Sequence, residues 1–289
     1  MNTFLNDKSI IICGIVRNAE KGLINNIPVI RCFCKYFKDY HVVIYENNSV
    51  DKTKKLLAEW MKADATHVHC IMENVDATAT IPKVSSVSVN PFYSHKRINK
   101  MAYLRNQYMD YIASKEWTAD YLMVVDMDVA RLDVDGILTS FNVSQEWDAL
   151  TAFGYSTSPK LCRRFHDTYA LTEYGDEQNP QTESKIKTNA DKYGTLHKGM
   201  PLVRVFSAFG GLAIYRYEAV RGLRYDVYKN DDSRVEVRCE HYSIYKQMKD
   251  RGYDKVYINP NMSFKYQNLT MRIIWNSLKR RIFKCNSFL

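Results

Sequence analysis

Two acidic residues, Asp126 and Asp128, directly follow the apolar segment YLMVV at residues 121–125. Because side chains on a strand alternate in direction, both carboxylates can point to one side at its end while Met127 points into the core. Paired carboxylates suit Mg²⁺ or Mn²⁺, which complete their coordination with water and substrate phosphates. The pattern predicts a divalent cation held against a phosphate group. The alternative is an ordinary polar turn after a core strand, since such pairs also recur by chance.

The elements that must position this acidic pair alternate between strands and helices. Continuous apolar runs at 9–16 and 41–46 predict buried strands, and helical periodicity is present at 17–37, 52–63 and 95–114. This order predicts an α/β protein with a Rossmann-like, mostly parallel central sheet flanked by helices. Ligands of such sheets gather at the carboxyl ends of the strands, where the acidic pair is placed.

The second half of the chain is less regular. Residues 155–202 are polar and are predicted to form a long excursion, either a lid or a binding loop. Residues 203–220 predict two strands around a glycine pair, 235–252 predict a helix, and 255–266 predict a final pair of strands. No internal repeat divides the chain, so we expect one domain followed by a tail.

Net charge and cysteine usage limit the partners and the compartment. The formal charge of +9 favours a nucleic acid, an anionic membrane surface or a phosphorylated ligand. Much of the excess lies in residues 271–289, which as a helix would be either an anchor on an anionic membrane or a terminal helix packed on the domain.

Seven scattered cysteines favour a reducing compartment. Without a secretory signal or a long apolar span, the sequence predicts a cytoplasmic protein, either free or peripheral at the inner face of a membrane.

Several sequence blocks resemble a known superfamily. The blocks IIICGIVRNAE, VVIYENNSVDKT, LRNQYMDYIA and YLMVVDMDV resemble the nucleotide-binding blocks of GT-A glycosyltransferases of the family-two kind. Three later blocks, FHDTYALTEYGD, FSAFGGLAIY and VRCEHYSIYKQMKDRGYDKVYINP, are similar to fungal capsule-associated alpha-mannosyltransferases.

The resemblance covers roughly residues 9–267 and implies a GT-A fold. It also implies Mn²⁺ or Mg²⁺ and transfer of a sugar from a nucleotide-diphosphate donor, GDP-mannose or a UDP-sugar, to a glycan or lipid-linked acceptor. The expected domain is 1–268, with a nucleotide-binding half at 1–130 and an acceptor-binding half at 131–268. Residues 269–289 form the basic amphipathic tail.

Donor contacts follow from matching the blocks residue by residue. The arginines at 97 and 105 lie about two helical turns apart and can share a face toward a diphosphate, although solvated arginines are equally common. A carboxylate at the end of the second strand can accept hydrogen bonds from sugar hydroxyls, or can be a helix N-terminal acid. Contacts to the nucleotide-sugar are expected from Arg17, Glu46, Asp51, Arg97, Arg105 and Asp126.

The acceptor side of the site follows from the later blocks. The resemblance places Gly210, Gly211 and Asp167 near the acceptor; a strand bulge is the competing explanation for the glycines. Catalytic roles are expected for Asp128, Glu240 and His241. If the reaction inverts configuration, Glu240 or His241 can deprotonate the acceptor hydroxyl, and if it retains configuration, Glu240 orients the acceptor. The alternative for both is helix capping and surface charge.

Two other classes of protein remain as competitors. A nucleotidyl- or phosphoryl-transferring enzyme also uses metal carboxylates, yet no Walker or kinase glycine loop is present. A basic nucleic-acid-binding protein would fit the charge, yet no RRM, KH, helix-turn-helix or zinc-finger signature occurs. We therefore expect a nucleotide-sugar as the partner and no nucleic acid.

Overall fold

The computed structural model describes residues 5–74, 89–158 and 162–267, together with Met271 and Trp275. The predicted basic tail at 269–289 therefore lies almost entirely outside the described residues. Within the described part of the chain, no helix is long and apolar enough to cross a membrane.

The first half of the described chain alternates strands and helices as the sequence predicts. Its strands form the order β3-β2-β1-β4, and all their pairings are parallel. Parallel strands place their carboxyl ends at the same edge, so the end of β4 lies beside the end of β1. The elements are β1 (Ser9–Val16), α1 (Glu20–Cys34), β2 (Asp39–Asn47), α2 (Thr53–Ala63), β3 (Val68–Glu73), α3 (His95–Ser114) and β4 (Tyr121–Val125).

The second half extends the same sheet. The elements are α4 (Val134–Leu138), β5 (Ala149–Thr157), β6 (Arg163–Phe165), β7 (Thr172–Glu173), α5 (Glu183–Lys192), β8 (Val203–Ser207), β9 (Leu212–Arg216), α6 (Tyr217–Val220), α7 (Glu240–Asp250) and β10 (Val256–Gln267). The strand order continues as β4-β9-β5-β10-β8-β7, with β6 paired to β5. β9 is antiparallel to both neighbours, whereas β5 and β10 point the same way as β1–β4. A single α/β domain with a mostly parallel sheet is thereby confirmed.

Hydrophobic cores cover both faces of the sheet. Ile11 and Cys13 of β1 belong to one core with α3 and α7, and Ile10 and Ile12 belong to the other with α1 and α2. A strand buried on both faces needs apolar side chains at every position rather than at alternate ones. This requirement explains why the apolar run at 9–16 is uninterrupted.

Three predictions from the sequence need correction. The segment 155–202 is not a single irregular excursion, because it contains the end of β5, all of β6 and β7, and α5. The predicted helix at 235–252 begins only at Glu240. The predicted final strand pair at 255–266 is wrong: the segment is one strand, β10, whose register with β5 shifts between Asn259 and Ser263. Pro260 has no N–H to donate, so the ladder is interrupted there without the chain reversing.

Candidate active site

A cavity of about 640 Å³ opens at the carboxyl ends of β1, β2 and β4. Its walls come from those strand ends, from α3, from the segment after β6 and from the start of α7. Its volume is in the range of pockets that hold small organic ligands. The polar residues on its walls include Arg17, Asn47, Arg97, Arg105, Asp126, Asp128, His166, Asp167, Thr168, Glu240 and His241.

The acidic pair is fixed by backbone contacts on both sides. Met127 is fully buried, whereas Asp128 is exposed toward the cavity, as strand alternation predicts. The N–H of Asp126 donates to the carbonyl oxygen of Gly211, the residue before β9, at 2.9 Å. Tyr266 completes the support, since its hydroxyl donates to Asp126 Oδ2 at 2.9 Å.

The turn that carries Asp128 is clamped to α1. The buried Asn26 donates from Nδ2 to the carbonyl oxygens of Met127 and Val129, at 3.1 and 2.8 Å, and accepts from the N–H of Leu132 at 2.8 Å. A Cβ on Gly22 of the same helix would lie 2.4 Å from the Met127 carbonyl oxygen. The sequence analysis did not identify Asn26 as a site residue. A polar amide within the otherwise apolar buried face of α1 was the feature of the sequence that could have identified Asn26.

Burial changes the acidity of both members of the acidic pair. Burial and the neighbouring Asp128 raise the pKa of Asp126 to about 7, although Arg105 opposes the rise. Burial also raises the pKa of Asp128. Among the described residues, no group of three or more His, Cys, Asp or Glu side chains could hold a metal. Two carboxylates that leave the remaining positions to water and phosphate fit Mg²⁺ or Mn²⁺, which bind proteins in this way.

Arg105 is the central positive charge of the site. Its side chain is buried, its Nε donates to Glu240 Oε1 at 3.0 Å, and its Nη2 lies 3.8 Å from Asp126 Oδ1. The guanidinium also lies over the rings of Phe209 and Tyr225, 5.2 and 5.7 Å from their centroids. Burial alone would raise the pKa of Glu240, but Arg105 lowers it to about 2. Glu240 is therefore ionised and already paired with a cation.

His241 presents a neutral ring to the cavity. Burial, and secondarily Arg105, hold its pKa well below the usual value. The ring stacks on Phe209 with 3.9 Å between centroids, and neither ring nitrogen has a hydrogen-bond partner among the described residues. Such a buried imidazole retains hydrogen-bonding capacity for a ligand.

The segment after β6 forms another part of the cavity wall. Asp167 has a φ of 61° in the left-handed region, and its pKa is raised to about 8 by burial, by Glu240 and by Asp126. The adjacent His166 stacks on Tyr266 with 3.6 Å between centroids, and burial lowers its pKa to about 4. Tyr266 thus contacts both Asp126 and the Asp167 segment.

The two remaining arginines lie on the cavity wall. Arg17 is exposed at the end of β1, and Arg97 of α3 donates from Nη1 to the carbonyl oxygen of Phe92 at 3.0 Å. Arg97 and Arg105 thus face the same cavity, as their spacing predicts. The Nε of Arg97 is buried and has no hydrogen-bond partner among the described residues.

Glu46 and Asp51 do not line the cavity. Glu46 is fully buried, its Oε1 accepts from the N–H of Ser49 at 2.6 Å, and its Oε2 lies 3.8 Å from Lys54 Nζ. Asp51 accepts from the N–H groups of Glu20 and Thr53 at 3.1 and 3.0 Å. Both carboxylates therefore close the turn between β2 and α2.

The cavity-facing polar side chain of β2 is Asn47, which the sequence analysis did not select. Successive side chains on a strand point to opposite faces, so Tyr45 and Asn47 share the face that Glu46 does not. Alternation counted from the end of the strand was the signal that could have found Asn47.

The glycine pair does not line the cavity either. Gly210 and Gly211 have positive φ angles of 64° and 93°. A Cβ on Gly210 would lie 2.2 Å from the carbonyl oxygen of Ala152, and a Cβ on Gly211 would lie 2.9 Å from the ring of Tyr266. The pair is required by backbone conformation and by close packing of β5, β9 and β10.

The chain has a mixed α/β fold, with a polar cavity at the carboxyl ends of three parallel strands. Residues 11–250 match the family model described as Cryptococcal mannosyltransferase 1. Since the match covers most of the chain, the protein belongs to this mannosyltransferase family. The resemblance stated from the sequence blocks is confirmed.

Solved structures with a similar fold share little sequence with this chain. A mannosyltransferase from Pyrobaculum calidifontis, PcManGT in complex with GDP-Man and Mn²⁺, has 12% identity and a TM-score of 0.49, covering 94% of this chain and 61% of that one. S. aureus TarS 1-349 has 9% identity and a TM-score of 0.39, covering 86% and 57%. M. tuberculosis glucosyl-3-phosphoglycerate synthase has 11% identity and a TM-score of 0.40, covering 92% and 73%.

The chain spans about three fifths of the length of the first two structures. No curated protein sequence matches the chain.

Proposed function

We propose that this protein transfers a sugar from a nucleotide-diphosphate donor, either the mannosyl group of GDP-mannose or the sugar of a UDP-sugar, to a glycan or lipid-linked acceptor with the help of Mn²⁺ or Mg²⁺. The observation that carries the proposal is the acidic pair Asp126 and Asp128 on the wall of the 640 Å³ cavity. Burial raises the pKa values of both carboxyls, so a divalent cation beside them would stabilise their charged forms. The mannosyl group is proposed because of the family to which the chain belongs.

The donor side of the reaction needs positive charge where the diphosphate leaves. Asp126 and Asp128 would hold the cation, and the bound cation would act as a Lewis acid that stabilises charge on the departing diphosphate. Arg17 and Arg97 add side-chain charge on the same cavity wall, and guanidinium groups pair well with phosphates. Asn47 offers an amide at the end of β2 for the ribose or base.

We assign the acceptor side of the reaction to Glu240, His241 and Asp167, which line the same cavity as the acidic pair. Glu240 accepts from Arg105 at 3.0 Å and has a pKa of about 2, so it is a weak base and acts by positioning Arg105. His241 has two ring nitrogens without partners among the described residues and can hydrogen-bond an acceptor hydroxyl. Asp167 faces the same space. In the reaction, the acceptor oxygen bonds to the sugar's anomeric carbon, the bond from that carbon to the diphosphate oxygen breaks, and the hydroxyl proton passes to the departing diphosphate.

The division of the domain follows this assignment. We infer that residues 1–130 bind the nucleotide, since Arg17, Asn47 and the acidic pair come from them, and that 131–268 bind the acceptor. The cytoplasmic location and the contact of 271–289 with an anionic membrane stay predictions from the sequence.

A thermal-shift experiment tests the donor and the cation together. Melting temperatures are measured with GDP-, UDP- and CMP-sugars, each with and without Mn²⁺. A donor present at 100 times its Kd should stabilise the fold by about 2.7 kcal/mol, which is roughly 5 °C for a chain of this size. We expect this shift for GDP-mannose only when Mn²⁺ is present.

The matched variants are Asp128→Asn in the site and Asp135→Asn on the exposed start of α4. The first should lose the Mn²⁺-dependent part of the shift, and the second should keep it. An undiminished shift in Asp128→Asn would remove Asp128 from the site. No shift with any sugar nucleotide in the presence of Mn²⁺ would contradict the proposal as a whole.

A further inference from the structure

The outer side of α1 carries a stripe of basic and apolar side chains. Residues three or four apart share one side of a helix, because an α-helix has about 3.6 residues per turn. We name this stripe the α1 face. Its exposed side chains, at these intervals, are Lys21, Ile24, Pro28, Arg31 and the C-cap residue Lys35.

The positive charge of the α1 face is not offset by acids. Glu20 is the only acidic residue of α1, and its Oε1 lies 3.5 Å from Lys52 Nζ. Lys21, Arg31 and Lys35 form no ion pair within the described part of the chain. Three cations on one side of a helix attract an anionic partner.

Exposed apolar side chains lie at the amino-terminal end of the α1 face. Ile24 is 55% exposed, and Val50, in the turn between β2 and α2, is 91% exposed. This turn is tied to the segment that leads into α1: the N–H of Val50 donates to Asn18 Oδ1, and the N–H of Asn18 donates to Ser49 Oγ, both at 2.9 Å. Val50 and Ile24 therefore lie at the same end of α1.

The end of β10 is tied to this end of α1 as well. Asn25 Nδ2 donates to the carbonyl oxygen of Ala130 at 2.9 Å, and the N–H of Ala130 donates to the carbonyl oxygen of Tyr266 at 3.0 Å. Arg131 follows Ala130 and is exposed, which adds a fourth cation. Met271, five residues beyond Tyr266, is 79% exposed. The basic tail predicted from the sequence thus begins only a few residues from a strand end that is tied to α1.

The combination of charge and apolar exposure favours a bilayer as the partner. Anionic lipids and nucleic acids both attract Lys and Arg. At a bilayer, exposed apolar side chains also insert at the boundary between headgroups and acyl chains. Along a phosphate backbone, Ile24 and Val50 would gain no such contact.

We infer that the folded domain binds an anionic lipid bilayer through the α1 face, together with Val50 and Arg131. The opposite side of α1 holds the turn of the acidic pair, through Asn26 and the close approach at Gly22. A helix with its side chains is about 10 Å across, so the acidic pair lies roughly that far from the bound membrane. This binding does not depend on the proposed sugar transfer.

The test uses the full chain and vesicles of phosphatidylcholine with and without phosphatidylglycerol, separated by sedimentation. Binding should require the anionic lipid, and a wild-type protein that does not bind these vesicles would overturn the inference. Each cation near an anionic surface contributes a factor of roughly five in affinity. The triple variant Lys21→Gln, Arg31→Gln and Lys35→Gln should therefore bind about a hundredfold more weakly.

A second triple variant removes the same charge elsewhere on the surface. Lys187→Gln, Arg221→Gln and Lys229→Gln change exposed cations outside α1. Because salt screens charges beyond about 10 Å, this variant should lose less than about threefold in affinity. Equal losses in the two triple variants would reduce the effect to net charge and overturn the inference. Full binding by the α1 variant would overturn it too, since the tail alone would then account for binding.

The apolar contribution separates a bilayer from a nucleic acid. Ile24→Gln combined with Val50→Gln keeps the charge and should weaken vesicle binding by about tenfold, the scale of one partly buried aliphatic side chain. Unchanged vesicle binding in this double variant would overturn insertion into a bilayer. Tighter binding of an oligonucleotide than of vesicles, with the same dependence on Lys21 and Arg31, would assign the α1 face to a nucleic acid instead.

Donor binding is measured in parallel, by the melting shift that GDP-mannose and Mn²⁺ produce. None of the substituted residues lines the active-site cavity, so every variant should keep the wild-type shift. Lost vesicle binding with a normal donor shift shows that the variant is folded. Normal vesicle binding without any donor shift in the wild type would refute the proposed function and leave the α1 face in place.

Discussion

Replacing Arg105 by Met should destabilise the fold and should do so most strongly at neutral and higher pH. Met is close to Arg in length, so the variant removes the positive charge while keeping most of the packing over Phe209 and Tyr225. The substitution leaves Glu240 buried without its partner at 3.0 Å, and Asp126 without the charge at 3.8 Å. Breaking a buried ion pair by removing one partner costs about 3–5 kcal/mol.

The pKa of Glu240 gives an independent magnitude. It is about 2 in the fold, against an ordinary value of 4.5. This lowering of the pKa corresponds to about 3 kcal/mol, which is consistent with the ion-pair range. Because the pKa is depressed, this stability is fully present above pH 4.5 and is lost as the pH falls toward 2. In the variant, burial raises the pKa of Glu240 instead, so the difference in stability from wild type should be largest above pH 7 and should shrink as the pH falls toward 2.

The assay is chemical denaturation at pH 4.5, 6.0 and 7.5, with thermal melts alongside. At pH 7.5 the melting temperature should fall by about 6–10 °C, taking roughly 2 °C for each kcal/mol in a chain of this size. Arg31→Met, on the exposed face of α1, is the matched control and should change stability by less than about 0.5 kcal/mol. A loss in Arg105→Met below about 1 kcal/mol at every pH would refute the view that Arg105 holds the buried carboxylates in place.

Three other predictions concern the donor to Asp126, the pH dependence of Mn²⁺ binding and the close packing at Gly210. Tyr266→Phe removes the donor to Asp126 Oδ2 and should weaken Mn²⁺ binding by about tenfold, measured by titration calorimetry, whereas unchanged affinity would contradict a positioning role. The pKa of Asp126 is about 7, so protons compete with Mn²⁺ for this carboxylate below that pH. The affinity for Mn²⁺ should therefore rise about tenfold from pH 6 to pH 8. An affinity that does not change with pH would refute Asp126 as a ligand. Gly210→Ala should lower the free energy of unfolding by about 3 kcal/mol or prevent folding, because the new Cβ would lie 2.2 Å from a backbone oxygen. Gly222→Ala is the control, since its φ is also positive, at 73°, but the space around it is open, and it should lower the free energy of unfolding by only about 1 kcal/mol. Both values are measured by denaturant titration.

The sequence predicted the first half of the fold closely because its signals there are strong and local. The apolar run of β1 needed burial on both faces, and the periodicity of α3 placed its bounds at His95 and Ser114, where the structure has them. The end of the chain was harder to predict. The NPN stretch at 259–261 has the composition of a turn, yet it lies inside β10, because pairing with β5 resumes at Ser263. Tertiary pairing of this kind is not encoded in a short window.

The residues of the candidate site were predictable where strand order or helix spacing fixes which way their side chains point. Asp126, Asp128, Arg97 and Arg105 all line one cavity, since they follow from strand order and helix spacing. Glu46 and Asp51 were placed near the nucleotide by resemblance, yet the structure uses both to close a turn.

The supports of the acidic pair could not be read from the sequence. Asn26 precedes the pair by about a hundred residues, and Tyr266 follows Asp126 by 140. Only the packed structure brings them into contact with it.

Cleavage of GDP-mannose tests the central claim most directly. Release of GDP is followed with and without Mn²⁺, in the presence of a saccharide acceptor, for wild type and for Asp128→Asn. We predict release by wild type that requires the cation and falls at least a hundredfold in the variant, the scale seen when one group that stabilises a leaving charge is lost. Release that is unaffected by chelating the metal, or that survives in Asp128→Asn at the wild-type rate, would contradict a cation held by this acidic pair.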